Sequence, residues 1–355
     1  MSRDVSGKRF QNRGTMSAIP GRFDVRIVET EDDFHSVSSP DTEVRYEYAK
    51  TLITSNQSPD VPFRLSVNPY RGCEHGCIYC FARPTHAYLD LSPGIDFETR
   101  LTAKINAPEI FEKELRNPNY QCQPIALGIN TDAYQPIEKE LKLTQKLLNI
   151  AYEYKQPISL ITKSSLILRD IDLLQSMASE HLVHVGVSLT TLDNDLSRRL
   201  EPRAVPGSVR LKMIRALRER NIPVTVMIAP VIPFINDHEM ETLIQASVEA
   251  GAERVGYVML RLPHEVAPLF EDWLNIHFPL RAERVLSHLR SMHGGQLYQG
   301  GFGKRMTGSG VYADFIRQRF HLARRKSGGD RRESGILDSS HFRLPPRCGE
   351  QIALF

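Results

Sequence analysis

Long apolar runs are missing from this chain of 355 residues. No stretch approaches the ~18–20 apolar residues of a membrane helix, so no span and no membrane partner is expected. Net charge is nearly missing too. Lys and Arg number 45 against 42 Asp and Glu, leaving +3, which is too little to mark a generic nucleic-acid binder. Cysteine is scarce and odd in number, at five, which argues against a disulfide framework. Residues 1–21 are basic and polar and hold no apolar stretch, so no secretory leader is expected and the protein is read as cytoplasmic. No internal repeat or low-complexity tract occurs, which excludes solenoids and propellers.

What remains is an ordinary folded composition, 41% apolar and 25% charged, long enough for one large domain or two smaller ones. The small net charge hides segregation. Residues 24–60 carry nine acids against three Lys or Arg, and residues 321–355 carry seven Lys or Arg against four acids. The organisation read from this is a loosely ordered arm at 1–58, a core at 59–292, a Gly-rich capping segment with a helix at 293–322, and a basic, flexible tail at 323–355. The chain is expected to act as a monomer.

Within the core, short β-rich segments recur at 63–68, 124–130, 158–162, 183–189, 224–229 and 255–260. Stretches of helical period lie between or after them, at 137–154, 171–179, 208–220, 237–250 and 281–291. The strands are nearly continuous apolar runs, as expected when both faces are covered. Asp170 and Asp237 stand where helix caps are expected. Six strands alternating with helices predict an α/β fold, either an incomplete (β/α)6 TIM-like barrel or an open sheet. In both, the chemistry sits at the C-terminal strand ends.

Directly after the first strand comes NPYRGCEHGCIYCFA, residues 68–82. Cys73, Cys77 and Cys80 fall within eight residues, and Gly72 and Gly76 let the backbone wrap tightly. Three soft thiolates so placed call for zinc or an iron–sulfur cluster. A zinc site takes its fourth ligand from His75, His86, Cys122 or Cys348 and makes a non-catalytic interaction protein. A four-iron cluster on three thiolates instead leaves one iron open. That is wasteful for electron transfer but needed where the cluster binds a cofactor or substrate, and the pattern leans that way.

Cys-x3-Cys-x-aromatic-Cys after the first strand of a βα fold resembles the signature of the radical S-adenosylmethionine superfamily. The resemblance implies a [4Fe-4S] cluster on Cys73, Cys77 and Cys80, with S-adenosylmethionine (SAM) chelated at the open iron. It implies reductive cleavage of SAM to a 5′-deoxyadenosyl radical, which abstracts hydrogen from a substrate. An external one-electron donor such as flavodoxin or ferredoxin is implied as partner. Tyr79 matches the aromatic that lies against the adenine. The polar strand ends supply the other cofactor contacts: Asn130, Thr131 and Asp132 for the amino group, and Lys163 and Ser164 for the carboxylate or ribose. Ser188 and Thr190 suit ribose or carboxylate, and Ile232 packs the adenine. The bland reading of the polar ones is a cap or turn. Arg261 is a candidate on the substrate side.

Further strings narrow the resemblance: DFET at 96–99, TDAYQPIEKELKLT at 131–144, SLTTLDNDLSRRLEPRAVP at 188–206, APVIPFINDHE at 229–239 and the late block at 294–316. Together they resemble a bacterial group of the superfamily that is distantly similar to spore photoproduct lyase. That enzyme returns a hydrogen atom from a cysteine after its second strand, where this chain has Ile129. Cys122 lies seven residues earlier, at the far end of the expected barrel, and Tyr134 is the remaining candidate for a hydrogen-atom relay. Lyase or repair activity on nucleic acid is therefore kept as an alternative. The late block holds seven glycines, Lys304 and Arg305 at 294–310. It suits either a phosphate or base contact or a cap on the open side of the barrel, and the cap is favoured.

Overall fold

The computed structural model describes residues 13–15, 19–23, 41–328 and 336–346. Ten strands are described: β1 (Glu43–Glu47), β2 (Thr54–Ser55), β3 (Leu65–Val67), β4 (Tyr70–Arg71), β5 (Arg100–Lys104), β6 (Ile125–Leu127), β7 (Ile158–Thr162), β8 (Val183–Ser188), β9 (Val224–Val231) and β10 (Arg254–Met259). The main sheet has the order β10-β9-β8-β7-β6-β3-β2. Six of its strands run parallel in chain order, and β2 pairs antiparallel on β3. These six match the six β-rich segments of the sequence, so the α/β expectation holds with an open rather than closed array. Their apolar side chains join those of the surrounding helices in one continuous core.

The helical expectations hold with two local breaks. Segment 137–154 divides into Glu138–Leu141 and Leu143–Glu153 at Lys142, whose φ is 53°. The cause is Glu138: its buried carboxylate accepts the N–H groups of Thr144 at 3.0 Å and Gln145 at 3.3 Å and so caps the second helix. Segment 237–250 opens as a 3₁₀ turn, Asp237–Glu239, before the helix Met240–Glu249. Asp170 and Asp237 are not side-chain caps. Asp170 receives the Tyr134 hydroxyl at 3.1 Å and Asp237 receives that of Tyr312. The helices Ala107–Leu115, Asn194–Leu200 and Val266–His277 have no counterpart among the expected helical stretches.

A second sheet, β1-β5-β4, fixes the approach to the cysteine loop. Tyr70 and Arg71 pair antiparallel with Ala103 and Thr102, and β1 pairs parallel with the other edge of β5. Part of the stretch expected as a loose arm is thus a strand.

Two terminal segments close the array. The late block runs along β10, where Met259 N–H donates to the Met306 carbonyl at 2.9 Å. It then reaches the turn before β3: Gly303 N–H donates to Asp60 at 2.7 Å, and Arg305 pairs with Asp60 and Ser58. It thus contacts both β10 and the turn beside β2 and β3, the two sides of the open sheet. At the opposite end of the strands, part of the expected flexible tail is docked. Asp338 N–H bonds to the His181 carbonyl and Arg343 N–H to that of Tyr154, both at 3.0 Å. Phe342 lies against Tyr120 and Tyr154, with ring centroids 5.5 and 6.5 Å away. The preceding helix, Val311–Lys326, also extends into the stretch assigned to the tail.

Candidate active site

The cysteine loop leaves β4 and is tied down residue by residue. Gly72 carbonyl accepts from Gln135 Nε2 at 3.1 Å, and Gln135 Oε1 accepts from Glu74 N–H at 3.0 Å. Cys73 N–H donates to Phe97 at 2.9 Å, and Ile78 N–H donates to Leu200 at 3.1 Å. The buried Arg83 guanidinium takes the carbonyls of Gly76 and Cys77 at 3.2 and 3.0 Å. Its remaining donors reach Pro93, Gly94 and Glu98, so all five N–H groups are used. Gly76 has φ 65°, and a Cβ there would stand 2.6 Å from Glu98 Oε2. A side chain at this position is excluded twice over.

Cys73 and Cys77 are each 7% exposed, and Cys80 is half-buried. Burial pushes the Cys77 thiol up to about 12, and burial with the nearby Asp132 also raises the Cys73 thiol well above its ordinary value. Such thiols need a cationic metal centre to become ligands. The residues fit an iron–sulfur cluster by their donor set of three thiols on one rigid loop. They fit a closed zinc site poorly. His75 Nδ1 pairs with Asp132 at 3.3 Å, and His86 Nε2 faces the Arg100 carbonyl at 3.1 Å. Cys122 sits by Gln156 at the other end of the strands, and Cys348 lies outside the described residues. Among the described residues, no three His, Cys, Asp or Glu side chains converge on a single-ion site. A cluster takes its thiolates at separate irons.

Beside the loop lies a polar group built from four strand ends and loops. Tyr79 donates its hydroxyl to Glu201 and lies 3.2 Å from Thr190 Oγ1. The single Thr190 hydroxyl proton has two acceptors within reach, Glu201 at 2.8 Å and the Ala229 carbonyl at 3.0 Å. Glu201 forms a fully buried pair with Arg210, which also holds the carbonyls of Val205 and Ser188. Burial alone would raise the Glu201 carboxyl, but Arg210 and Lys163 bring it down to about 2. The Lys163 ammonium stands 5.8 Å from the Tyr79 ring centroid. Burial opposes its charge, and Cys77 and Glu201 more than restore it.

The other expected contacts are placed differently. Asp132 spends its carboxylate on Thr162 at 2.7 Å, Lys163 N–H at 2.8 Å, Tyr134 N–H at 2.9 Å and His75. These partners overcome burial and hold its carboxyl well below the usual range. Thr131 donates to the Tyr70 carbonyl, and Asn130 is exposed. Ser164 caps the turn that follows it, accepting Leu166 N–H at 3.2 Å. Ser188 donates to the Ala229 carbonyl at 3.3 Å, and Ile232 is fully buried with its N–H on Asn236 Oδ1. Arg261 lies over the Phe81 ring at 5.2 Å, at the edge of the cysteine loop. Tyr134 is fully buried. A cavity of about 490 Å³ adjoins the loop at His75 and is lined by Tyr134, Lys139, Ser164, Arg169 and Arg203. Sequence reasoning missed Glu201, Arg210, Arg83 and Glu98. Glu98 and Glu201 stand inside the quoted strings and Arg83 and Arg210 close after them, but charged residues read as surface until their partners are known.

An uncharacterized protein of Mycobacterium tuberculosis is 38% identical over 216 residues, 60% of this chain and 64% of that protein. The chain thus spans slightly under two thirds of this relative. An uncharacterized protein of Methanocaldococcus jannaschii is 30% identical over 193 residues, 54% of this chain and 68% of its own length. Among solved structures, spore photoproduct lyase complexed with dinucleoside spore photoproduct has a TM-score of 0.57 at 13% identity, covering 80% of this chain and 79% of that one. At that identity the likeness is one of fold. The profile of the Radical SAM superfamily matches residues 67–246, just over half the chain and inclusive of the cysteine loop and β6 to β9, and the chain belongs to that superfamily.

Proposed function

We propose that this chain is a radical SAM enzyme with Cys73, Cys77 and Cys80 as cluster ligands. When bound, a [4Fe-4S] cluster and SAM supply one-electron cleavage of SAM to methionine and a 5′-deoxyadenosyl radical that removes a hydrogen atom from substrate. The observation that carries this reading is three thiols, two buried and one half-buried, on a loop tied to the C-terminal strand ends, with Lys163 and Tyr79 alongside. Lys163 supplies a point charge for the SAM carboxylate. Thr190 and Ser188 offer hydroxyls to the ribose, and Asp132 fixes the turn that carries Asn130 and Thr131. Glu201 holds the Tyr79 ring in place through its hydroxyl. A small electron-transfer protein is the proposed reductant.

The test is anaerobic purification with iron and sulfide counts, followed by dithionite, SAM and an assay for 5′-deoxyadenosine. About four irons per chain with cofactor cleavage supports the proposal, and one tightly bound zinc with neither sinks it. Cys77→Ala abolishes both cluster and cleavage. Lys163→Met leaves the iron content unchanged and weakens SAM binding about 10-fold or more, the effect of losing a charge-assisted hydrogen bond.

A lyase or repair activity on nucleic acid is the second reading. Two aromatic–arginine pairs favour it, Phe81 with Arg261 and Phe302 with Arg305 at 5.2 and 4.9 Å, which suit stacking against a base. Among the described residues the hydrogen return then needs a donor other than Cys122, which is at the wrong end of the strands. Deuterium transfer from a labelled oligonucleotide into 5′-deoxyadenosine distinguishes the two readings.

A further inference from the structure

Residues 13–15 belong to the stretch expected as a loose arm, yet they are buried against the cysteine loop. Arg13 and Thr15 are 8% and 1% exposed, and Gly14 between them is buried. The N–H groups of Gly14 and Thr15 both donate to the Glu98 carboxylate, each at 3.0 Å. Arg13 donates to the Glu98 carbonyl at 3.1 Å and to Thr42 at 3.4 Å, and Thr42 donates to Glu74 inside the loop at 2.9 Å. Glu98 also pairs with Arg83 at 2.6 Å, and Arg83 holds the Gly76 and Cys77 carbonyls. One fully buried carboxylate therefore ties an N-terminal segment to the backbone of a cysteine more than sixty positions away.

The contact is also direct. A Cβ on Gly14 would stand 1.6 Å from the Gly76 carbonyl oxygen, which no backbone shift of a few tenths of an ångström relieves. Glycine meets glycine here because neither chain can carry a side chain at the crossing. Lifting the segment would leave the Glu98 carboxylate beside Arg83 without two of its N–H donors, so the closed arrangement is favoured by every group that makes it.

We propose that residues 13–15 form a latch that holds the cysteine loop in its folded form and closes that side of it to water and solutes. The purpose of the latch rests on the reading of Cys73, Cys77 and Cys80 as cluster ligands. Its existence is tested on the metal-free full-length chain, so a failure to find iron and a failure of the latch are separate results.

A buried thiol is alkylated only when its surroundings open, so the rate reports the open population. The reduced protein is treated with iodoacetamide, and modification of Cys77 and Cys122 is followed by peptide mass spectrometry. Gly14→Val, which cannot seat on Gly76, speeds Cys77 alkylation about 10-fold or more. Arg13→Ala removes the bonds to Glu98 and Thr42 without a clash and speeds it about 3-fold. Cys122 alkylates at the wild-type rate in both. Wild-type rates at Cys77 in both variants overturn the latch. Equal acceleration at Cys122 overturns it too, because the variants then open the whole molecule.

Discussion

Glu201 shows what a single buried charge does here. Its carboxylate accepts from Thr190 and Tyr79 and pairs with Arg210, and Glu201, Thr190 and Arg210 are all buried. Removing one member of such a pair strands the other. Glu201→Gln therefore costs about 3–5 kcal/mol in urea unfolding, well beyond one ordinary hydrogen bond. The pH dependence follows from the carboxyl's depression to about 2. Its folded value lies below its unfolded one, so its stabilisation is complete above the usual carboxyl range and is lost as pH falls from about 4.5 towards 2. The urea midpoint of the wild type accordingly falls more between pH 6 and pH 3 than that of Glu201→Gln. Equal falls would mean that the pair carries no net charge interaction. At this scale the sequence was legible where chemistry is local. The spacing of Cys73, Cys77 and Cys80 needs no partner to be read, whereas Glu201 and Arg210 are two charges among many until folding brings them together.

At the scale of elements, strand positions were the most legible feature. Segments 158–162 and 183–189 match β7 and β8 closely because strand pattern is set by a few consecutive side chains. Helix ends were less so. The break at Lys142 depends on Glu138 capping the next helix, and that carboxylate is itself positioned by Tyr70 and Arg169 from elsewhere. The late Gly-rich block has no period to read, and its role came from its contacts at both sheet edges. Its anchor is the part-buried pair of Arg305 and Asp60. Arg305→Ala leaves a buried carboxylate with one donor fewer. It costs about 1–3 kcal/mol and makes the chain near Gly300 and Gly301 a preferred cleavage site in limited proteolysis. A digestion pattern identical to that of the wild type would show that the block is held by something else.

For the whole molecule, the two ends of the parallel array do different work. One carries the cysteine loop, Lys163, Tyr79 and the Glu201 group. The other is packed by the docked segment 336–346, with Phe342 between Tyr120 and Tyr154. Cys122, half-buried at that second end beside Gln156, has its thiol pushed up to about 11 by burial. It is a small packed side chain there. Cys122→Ser leaves iron content and SAM cleavage at wild-type values and changes stability by about 1 kcal/mol or less. Loss of iron in that variant would assign it to the cluster and overturn the separation of the two ends.

By itself the sequence determined the βα alternation, the place of six strands and the three-cysteine spacing, because each is written in residues close together along the chain. Only the tertiary structure decided which charges are buried in pairs, that residues 13–15 return to cover the cysteine loop, and that segments 294–310 and 336–346 close the open edge and the far end. Those contacts join residues up to 247 positions apart, as Arg305 and Ser58 are. Their partners are selected by packing and desolvation, which no local pattern records.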